Sequence, residues 1–543
     1  MPKQQIKRPV VTLDTSNQLG LFAQEGGSGV ADKPVSRAQG VQFKDPDPRC
    51  ILLNGVCLDE HLRRSGEKSA LKVRQLLLGQ SWLEFEAAYH PGGRRPYAPR
   101  AMVGLVLYGI MRGITSLRDL EQFARVDLGC MWVSGGILPD HSIIGRFIQR
   151  HADYLTEDFF VSLTRQVLRV TGSDTRTVSG DGTVIEAAAS RYRVVKEEAL
   201  KQAVERARQA VAEAPQDEKR VQRLEQLQVA RRVLQTRKAA KQAKGKNADG
   251  MQISPGEPEA MIQPLKDKKR FAPSYKPSVL ANAVRVIVGQ DVDASSETRV
   301  VAGLLEQART QGEIEAALFD AGYHCKGVLD ATGQRKIELL CPEGQSQGAN
   351  WNKQSDKYYP KSRFRYDACR DCYRCPQGQD LTRLSEYKGS EQYPGYVQYG
   401  TSACERCEQR SRCTKSAQGR RIKRYAEDAA KEFLRDKMEN PEARERYLKR
   451  QGMVEPVFSQ LKCRQGLRRF RRKGLKAVRC EFALHAMAYN LSRAIALCAR
   501  DISLIFCWLF LVFMSSARQG KAQIFSKRSS YNTMSGNFQP SLV

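Results

Sequence analysis

The sequence predicts an α/β protein: a mixed sheet with flanking helices, preceded by an all-helical region and interrupted by a cysteine-rich, zinc-ribbon-like insertion. Three observations carry that class. Apolar residues recur at helical spacing from about 68 to 170. Farther on, β-branched runs such as VRVIV (284–288) alternate with helix-like stretches, as in a sheet with helices on its faces. Two cysteine clusters, CRDCYRCPQG (369–378) and CERCEQRSRC (404–413), stand apart from both patterns.

Residues 1–48 are rich in Gly, Ser, Gln and charge without an apolar period, and read as a flexible arm. The helical region spans 49–170. Its first period is Leu71, Val73, Leu76 and Leu77; a second, opened by PYAPR, runs from Met102 through Leu105, Val106, Tyr108, Ile110 and Met111; a third holds Leu117, Leu120, Phe123 and Ala124. The segment PDHSIIGRFIQRH (139–151) reads as an acid-capped helix with Ile143, Ile144, Phe147 and Ile148 inward and Arg146, Gln149 and Arg150 outward. Such a unit resembles a helix-turn-helix module whose basic face lies on DNA, and equally a helical cap or dimerisation bundle.

The sheet region begins at 171 and runs to 345. RTVSGDGTVIEAA (176–188) reads as strand–turn–strand, 191–246 as a charged and mostly solvated helical hairpin, and 279–292 as strand, before a helix and the acid-terminated apolar run LFDAGYHCKG. The cysteine-rich insertion occupies 346–425, a second part of the sheet domain follows at 426–498, and 499–543 form an atypical tail.

Lys plus Arg number 89 against 59 Asp plus Glu, a formal charge of +30 with pI near 9.7. That excess on a chain with an ordinary core points to a polyanionic partner, nucleic acid before a membrane surface. The N-terminus lacks the apolar stretch of a secretory signal, and the most apolar run, 502–514, falls short of a membrane span, so the expectation is a cytoplasmic, nucleoid-associated protein with no membrane contact.

Within this frame three acids stand out. Asp181 lies between Gly180 and Gly182 at a strand end, and Asp320 follows another apolar run with Ala321 and Gly322 behind it. Two adjacent strands ending in Asp place hard oxygen ligands at one sheet edge, the chemistry of Mg²⁺, and the small neighbours leave room for a phosphate backbone. Glu455 precedes a tract with nine Lys or Arg and no acid between Leu461 and Cys480. If 446–474 is a helix, Val454, Phe458 and Leu461 share one face, and Glu455 and Lys462 a neighbouring stripe. Taken singly, an Asp at a strand end is more often a turn former or helix cap than a metal ligand, and Glu455 an ordinary ion-pair partner of Arg450 or Lys462; the three together point to the metal.

The stretches GRRPYAPRAMVGLVLYGIMRGITSLRDLEQFARVDLGCMWVSGGILPDHSIIGRFIQRH, SGDGTVIEAAAS, LFDAGYHCKGVL and VEPVFSQLK together resemble bacterial insertion-sequence transposases of the DDE class, the first stretch being similar to an InsH-type N-terminal domain. The resemblance covers roughly 50–495. It implies an RNase H-like core with Asp181 on the first strand, Asp320 on the fourth and Glu455 on a later helix, and it groups Tyr447, Arg450 and Lys462 with them as site residues. Arg450 stands one residue farther from Glu455 than in the familiar signature, and the tail beyond about 500 has no counterpart.

The implied activity is Mg²⁺- or Mn²⁺-dependent cleavage of terminal inverted repeats and joining to target DNA, with two ions held by Asp181, Asp320 and Glu455 and a homodimer assembled on the DNA. Arg146, Arg150, Arg464, Arg468, Arg469, Arg471, Arg472 and Lys473 are the expected double-stranded DNA contacts. The alternatives are a zinc-containing DNA-binding protein with structural acids, and a nuclease that never joins strands.

Six clustered cysteines compete for the four places of a structural Zn²⁺. The CPQG knuckle and the resemblance favour Cys375, Cys404, Cys407 and Cys413, with Cys372 in reserve; free or redox-active thiols are the alternative. The remaining cysteines are scattered and expected to be buried small hydrophobes.

Overall fold

The computed structural model describes residues 41–243, 245–265, 270–343, 358–390 and 394–498. The expected arm up to residue 40 and the tail from 499, with its apolar run and Cys507, lie outside the described residues.

Helices Leu58–Arg64, Lys68–Leu78, Leu83–Ala87, Pro99–Met111, Leu117–Val126, Leu128–Ser134, His141–Arg150, Ala152–Thr156 and Asp158–Thr171 form the N-terminal region. Pro99 opens the fourth at a position where a missing N–H costs nothing, and that helix is buried from Pro99 to Ile110, so its neighbours pack around it. Asp140 caps His141–Arg150 by accepting from the N–H groups of Ser142 and Ile143. Ile144, Phe147 and Ile148 of that helix are buried and Arg146 and Arg150 exposed.

The central sheet contains five core strands: the first Thr177–Gly182, the second Phe271–Asn282, the third Ile287–Asp293, the fourth Ala316–Leu318 and the fifth Glu338–Leu340. Their lateral order is third, second, first, fourth, fifth. The first three are antiparallel; the fourth is parallel to the first, and the fifth to the fourth. The long second strand also pairs through its early half with Ile185–Glu186 and Met261–Pro264.

Between the first and second strands the charged hairpin forms helices Glu197–Glu213 and Glu218–Gln242. One stripe, including Leu200, Val204, Leu227 and Leu234, is buried in a small core of its own, and the rest faces solvent. The cysteine-rich insertion is an antiparallel sheet of Arg365–Asp367, Cys372–Arg374, Asp380–Tyr387, Tyr396–Gly400 and Ile422–Arg424 around Phe364, Tyr373, Leu381 and Tyr399.

Two later helices close the structure. Pro441–Cys463 buries Met453, Val454, Val457, Phe458 and Leu461. Pro456 within it cannot donate to the carbonyl of Gly452, and that carbonyl accepts instead from Arg285 Nε at 2.9 Å. The helix ends at Cys463 rather than continuing to 474: residues 464–474 turn back so that Arg469 bridges to Glu186, and the buried carboxylate of Glu481 accepts from the N–H groups of Arg471 and Arg472, each at 2.9 Å. Residues 475–498 are helical again. Their buried side chains share one core with the N-terminal helices and with Tyr275, Val279 and Ile287 of the sheet. Within it Asn490 donates to the carbonyl of Ile287 and to Thr164 Oγ1, and accepts from the N–H of Ile287.

Among the described scattered cysteines, Cys130, Cys341 and Cys480 are buried as expected, but Cys50 and Cys463 are exposed. Cys50 closes a short surface turn, and Cys463 is the solvent-side last residue of its helix.

Candidate active site

Parallel pairing of the first and fourth strands sets Ala316 beside Thr177 and Leu318 beside Ser179. Each chain then runs two more residues, to Asp181 and Asp320, so both carboxylates emerge at the same edge. Asp320 lies just past its strand rather than on it, and caps the following turn by accepting from the Gly322 N–H at 2.8 Å. The two roles foreseen for such an aspartate, turn former and site acid, coincide in one side chain.

Arg450 stands between them. Its Nη2 is 3.5 Å from Asp181 Oδ1 and 3.7 Å from Asp320 Oδ2, and its side chain is 10% exposed. Its Nε is buried without a partner, and its carbonyl accepts from Ser179 Oγ at 3.4 Å, which ties the helix to the first strand. Tyr447, one turn earlier on the same face, packs against Ala316, Leu318 and Leu340.

Burial pushes the Asp181 carboxyl up to about 6; the Arg450 guanidinium and the Gly182 N–H oppose that rise, and Asp320 and Glu297 add to it. The Tyr447 hydroxyl is likewise pushed up by burial, against the pull of Arg450.

Glu455 is not gathered to this pair. Its carboxylate is exposed and accepts from Gln451 Nε2 at 3.1 Å. Lys462 reaches the strand end, where its ammonium donates to Thr183 Oγ1, two residues past Asp181. Among the described residues no three Asp, Glu, His or Cys side chains are arranged to hold a metal ion.

The expectation that Gly180 and Gly182 admit a phosphate backbone is corrected. A Cβ on Gly180 would lie 2.0 Å from the Phe319 ring, and one on Gly182 would lie 2.4 Å from Glu297 Cγ. Internal packing fills both places. Glu297 itself sits in the polar stretch SSETR without a motif to mark it.

Of the expected DNA contacts, Arg146, Arg150, Arg464, Arg468, Arg471 and Lys473 are exposed and Arg472 partly so. Arg150 also lies over the Tyr89 ring, 4.8 Å from its centre. Arg469 is exposed as well, but its guanidinium is engaged within the protein, donating to the carbonyls of Ala187 at 3.0 Å and Ala188 at 2.6 Å.

In the insertion, Cys375, Cys404, Cys407 and Cys413 line one cavity together with Tyr359, Phe364 and Arg420. Burial raises the Cys413 thiol, and the other three thiols lie close enough to act on it. Cys372 is buried on its strand away from this lining, and Cys369 is exposed.

Residues 374–495 match the family described as "Transposase DDE domain", and residues 65–150 match "Transposase domain (DUF772)". No curated protein matches the chain. Among solved structures, the piggyBac transposase synaptic complex with hairpin DNA is similar at 10% identity and a TM-score of 0.27, over 78% of this chain and 75% of that one, an overlap too loose to carry any argument.

Proposed function

The chain being an insertion-sequence transposase of the DDE class, we propose that it cuts the ends of its own element and joins them to target DNA by divalent-metal-dependent phosphodiester transfer. Asp181, Asp320 and Glu455 are the three carboxylates of this reading. The observation that carries it is the meeting of Asp181 and Asp320 on either side of one buried guanidinium. The strand order of the sheet, with its antiparallel first three strands and parallel fourth and fifth, supports an RNase H-like core.

Asp181 and Asp320 offer the hard carboxylate oxygens that suit Mg²⁺ or Mn²⁺ at one sheet edge; Arg450 supplies the positive charge between them, and Glu455 would have to leave Gln451 to join them. Two such ions supply activation of the attacking water or 3′-hydroxyl and neutralisation of the leaving oxygen. The protein's own groups do the rest. Arg450 holds the two aspartates in place and offers its unpartnered Nε to an incoming phosphate oxygen. Lys462 presents an ammonium beside Thr183, where it steadies a phosphate near the cut. The exposed residues Arg464, Arg468, Arg471 and Lys473, with Arg146 and Arg150 of the helical region, neutralise DNA phosphates, and a homodimer brings two element ends together.

Cys375, Cys404, Cys407 and Cys413 are the proposed ligands of a structural zinc: all four line one cavity, and four is the number of thiolates such a site takes, although the side chains would have to turn toward one another to hold the ion. The site of action is the bacterial cytoplasm; among the described residues no helix is long and apolar enough to cross a membrane.

The exposure of Glu455 favours one second reading, a copy that binds DNA and does not cut it. Strand joining in vitro with the element's ends and Mg²⁺ separates the two. Asp181→Asn, Asp320→Asn and Glu455→Gln each abolish cutting and leave binding intact if the first reading holds; a parent protein that binds but never cuts establishes the second.

A further inference from the structure

Tyr192 is 81% exposed, the highest value for a large apolar side chain among the described residues. It is nonetheless held in place. Ser190 caps the short turn Arg191–Arg193, its Oγ accepting from the Tyr192 N–H at 3.3 Å. The Arg191 guanidinium lies over the ring, 4.8 Å from its centre, and donates to the Tyr192 hydroxyl at 2.6 Å. One face of the ring is thus taken by a cation, and the exposure of the side chain leaves the other to solvent.

This turn is tied to the basic tract by hydrogen bonds. Arg469 donates to the carbonyls of Ala187 and Ala188, and the Phe470 N–H donates to that of Glu186 at 2.8 Å. The buried carboxylate of Glu257 then accepts from the Ala189 N–H at 2.8 Å through Oε2 and from the Gly474 N–H at 3.3 Å through Oε1. One carboxyl group therefore holds the chain just before the turn beside the end of the tract. The Tyr275 hydroxyl, donating to the same carboxylate at 3.0 Å, fixes it to the second core strand. Residues 191–193 and 468–473 form one surface in consequence, on which Arg193, Arg468, Arg471 and Lys473 are exposed along with Tyr192.

An exposed aromatic ring set among cations suits a polyanion that also carries flat apolar faces, which is the chemistry of nucleic acid. Phosphate contacts account for the arginines and leave the ring unexplained; a base face accounts for it. Inside a duplex both faces of a base are already stacked, so the base open to Tyr192 is an unpaired one. We propose that Arg191–Arg193 is a further DNA contact of this chain, in which Tyr192 stacks on an unpaired base with Arg191 behind the ring and Arg193 neutralises a phosphate of the same strand. Glu257 is the positioning residue that holds this turn against the tract. The inference rests on the reading of DNA as the partner, and adds to it an engagement of bases outside the duplex.

The test uses the full chain and an element-end duplex with a short unpaired strand, carrying 2-aminopurine at each unpaired position in turn, beside the same end fully paired. The parent is expected to quench the fluorophore at one position, as stacking does, and to prefer the partly unpaired DNA on the order of tenfold, the scale of one base on an aromatic ring. Tyr192→Ala loses both the quench and the preference, and Tyr192→Phe, which keeps the ring, retains them. Arg193→Ala lowers the salt dependence of binding by about one unit of slope, and an unchanged slope removes Arg193 from the contact. A parent that binds both DNAs equally without a quench, or Tyr192→Ala that keeps quench and preference, overturns this assignment alone. A parent that binds neither DNA overturns the reading beneath it as well.

Discussion

Arg450 and Glu455 stand on one helix and face different ways: five residues at about 100° each turn Glu455 by about 140° from the guanidinium that holds Asp181 and Asp320. A four-residue step would have left them about 40° apart. Glu455 instead shares its stripe with Lys462, seven residues on, and its carboxylate is occupied by Gln451. Glu455 therefore joins the site only by leaving Gln451. Gln451→Ala, which frees the carboxylate, is expected to leave cleavage equal or faster, whereas Glu455→Gln removes it; a loss in both, measured on the same DNA substrate, contradicts this account.

Arg450 is buried, its Nη2 stands between two carboxylates and its Nε is without a partner, a placement that the point charge of a lysine does not reproduce. Arg450→Lys and Arg450→Gln are both expected to cut cleavage by about 100-fold, the scale of losing one well-placed charged donor. Single-turnover cleavage rates check this, and near-parent activity in Arg450→Lys counts against it.

The pH dependence of stability follows from Asp181. Its carboxyl is raised from 3.8 to about 6 in the folded state, so the folded protein holds this proton more tightly than the unfolded chain. The stabilisation that protonation gives is fully present below about pH 4 and is lost as pH rises through about 6. Above that window the ionised group costs the cation-free fold about 2–3 kcal/mol. Asp181→Asn should melt higher than the parent at pH 7.5 without metal, and the gap should vanish at pH 4. Differential scanning fluorimetry at the two pH values reads both.

These expectations also show how far the chain could be read in advance. Asp181 and Asp320 were legible because an acid directly after an apolar strand and before glycine is a local signal. Glu297 was not, since SSETR follows the third strand and reaches Gly182 only through the pairing of the third strand with the second and of the second with the first. The glycines misled for a related reason: their neighbours Phe319 and Glu297 come from distant segments, so a position shaped by packing looked like one shaped by substrate. Helical periods carried the N-terminal region well, but the end of the Pro441–Cys463 helix was hidden, because the residues after it are held by the buried Glu481 and not by local propensity.

The basic tract divides into two kinds of residue. Arg464→Ala and Lys473→Ala should each lower the salt dependence of DNA binding by about one unit of slope, as loss of a phosphate contact does. Arg469→Ala should instead lower thermal stability, since its guanidinium holds the carbonyls of Ala187 and Ala188. Binding titrations over a salt series, with melting curves, distinguish the two.

For the cysteine cavity, purified protein is expected to carry about one zinc per chain, the number four thiolates complete. Cys404→Ser should lose it, while Cys369→Ser, on an exposed thiol, should retain it. Elemental analysis of the variants decides.

The Asn490 tie to Ile287 and Thr164 reaches beyond energetics. A ribosome makes the N-terminal helices first and residues 475–498 hundreds of peptide bonds later, yet both contribute to one interior. A nascent product released before that late segment emerges carries an open apolar face and an unfinished interior. Premature termination upstream of it therefore yields material for proteases rather than a truncated, DNA-competent competitor of the full-length protein.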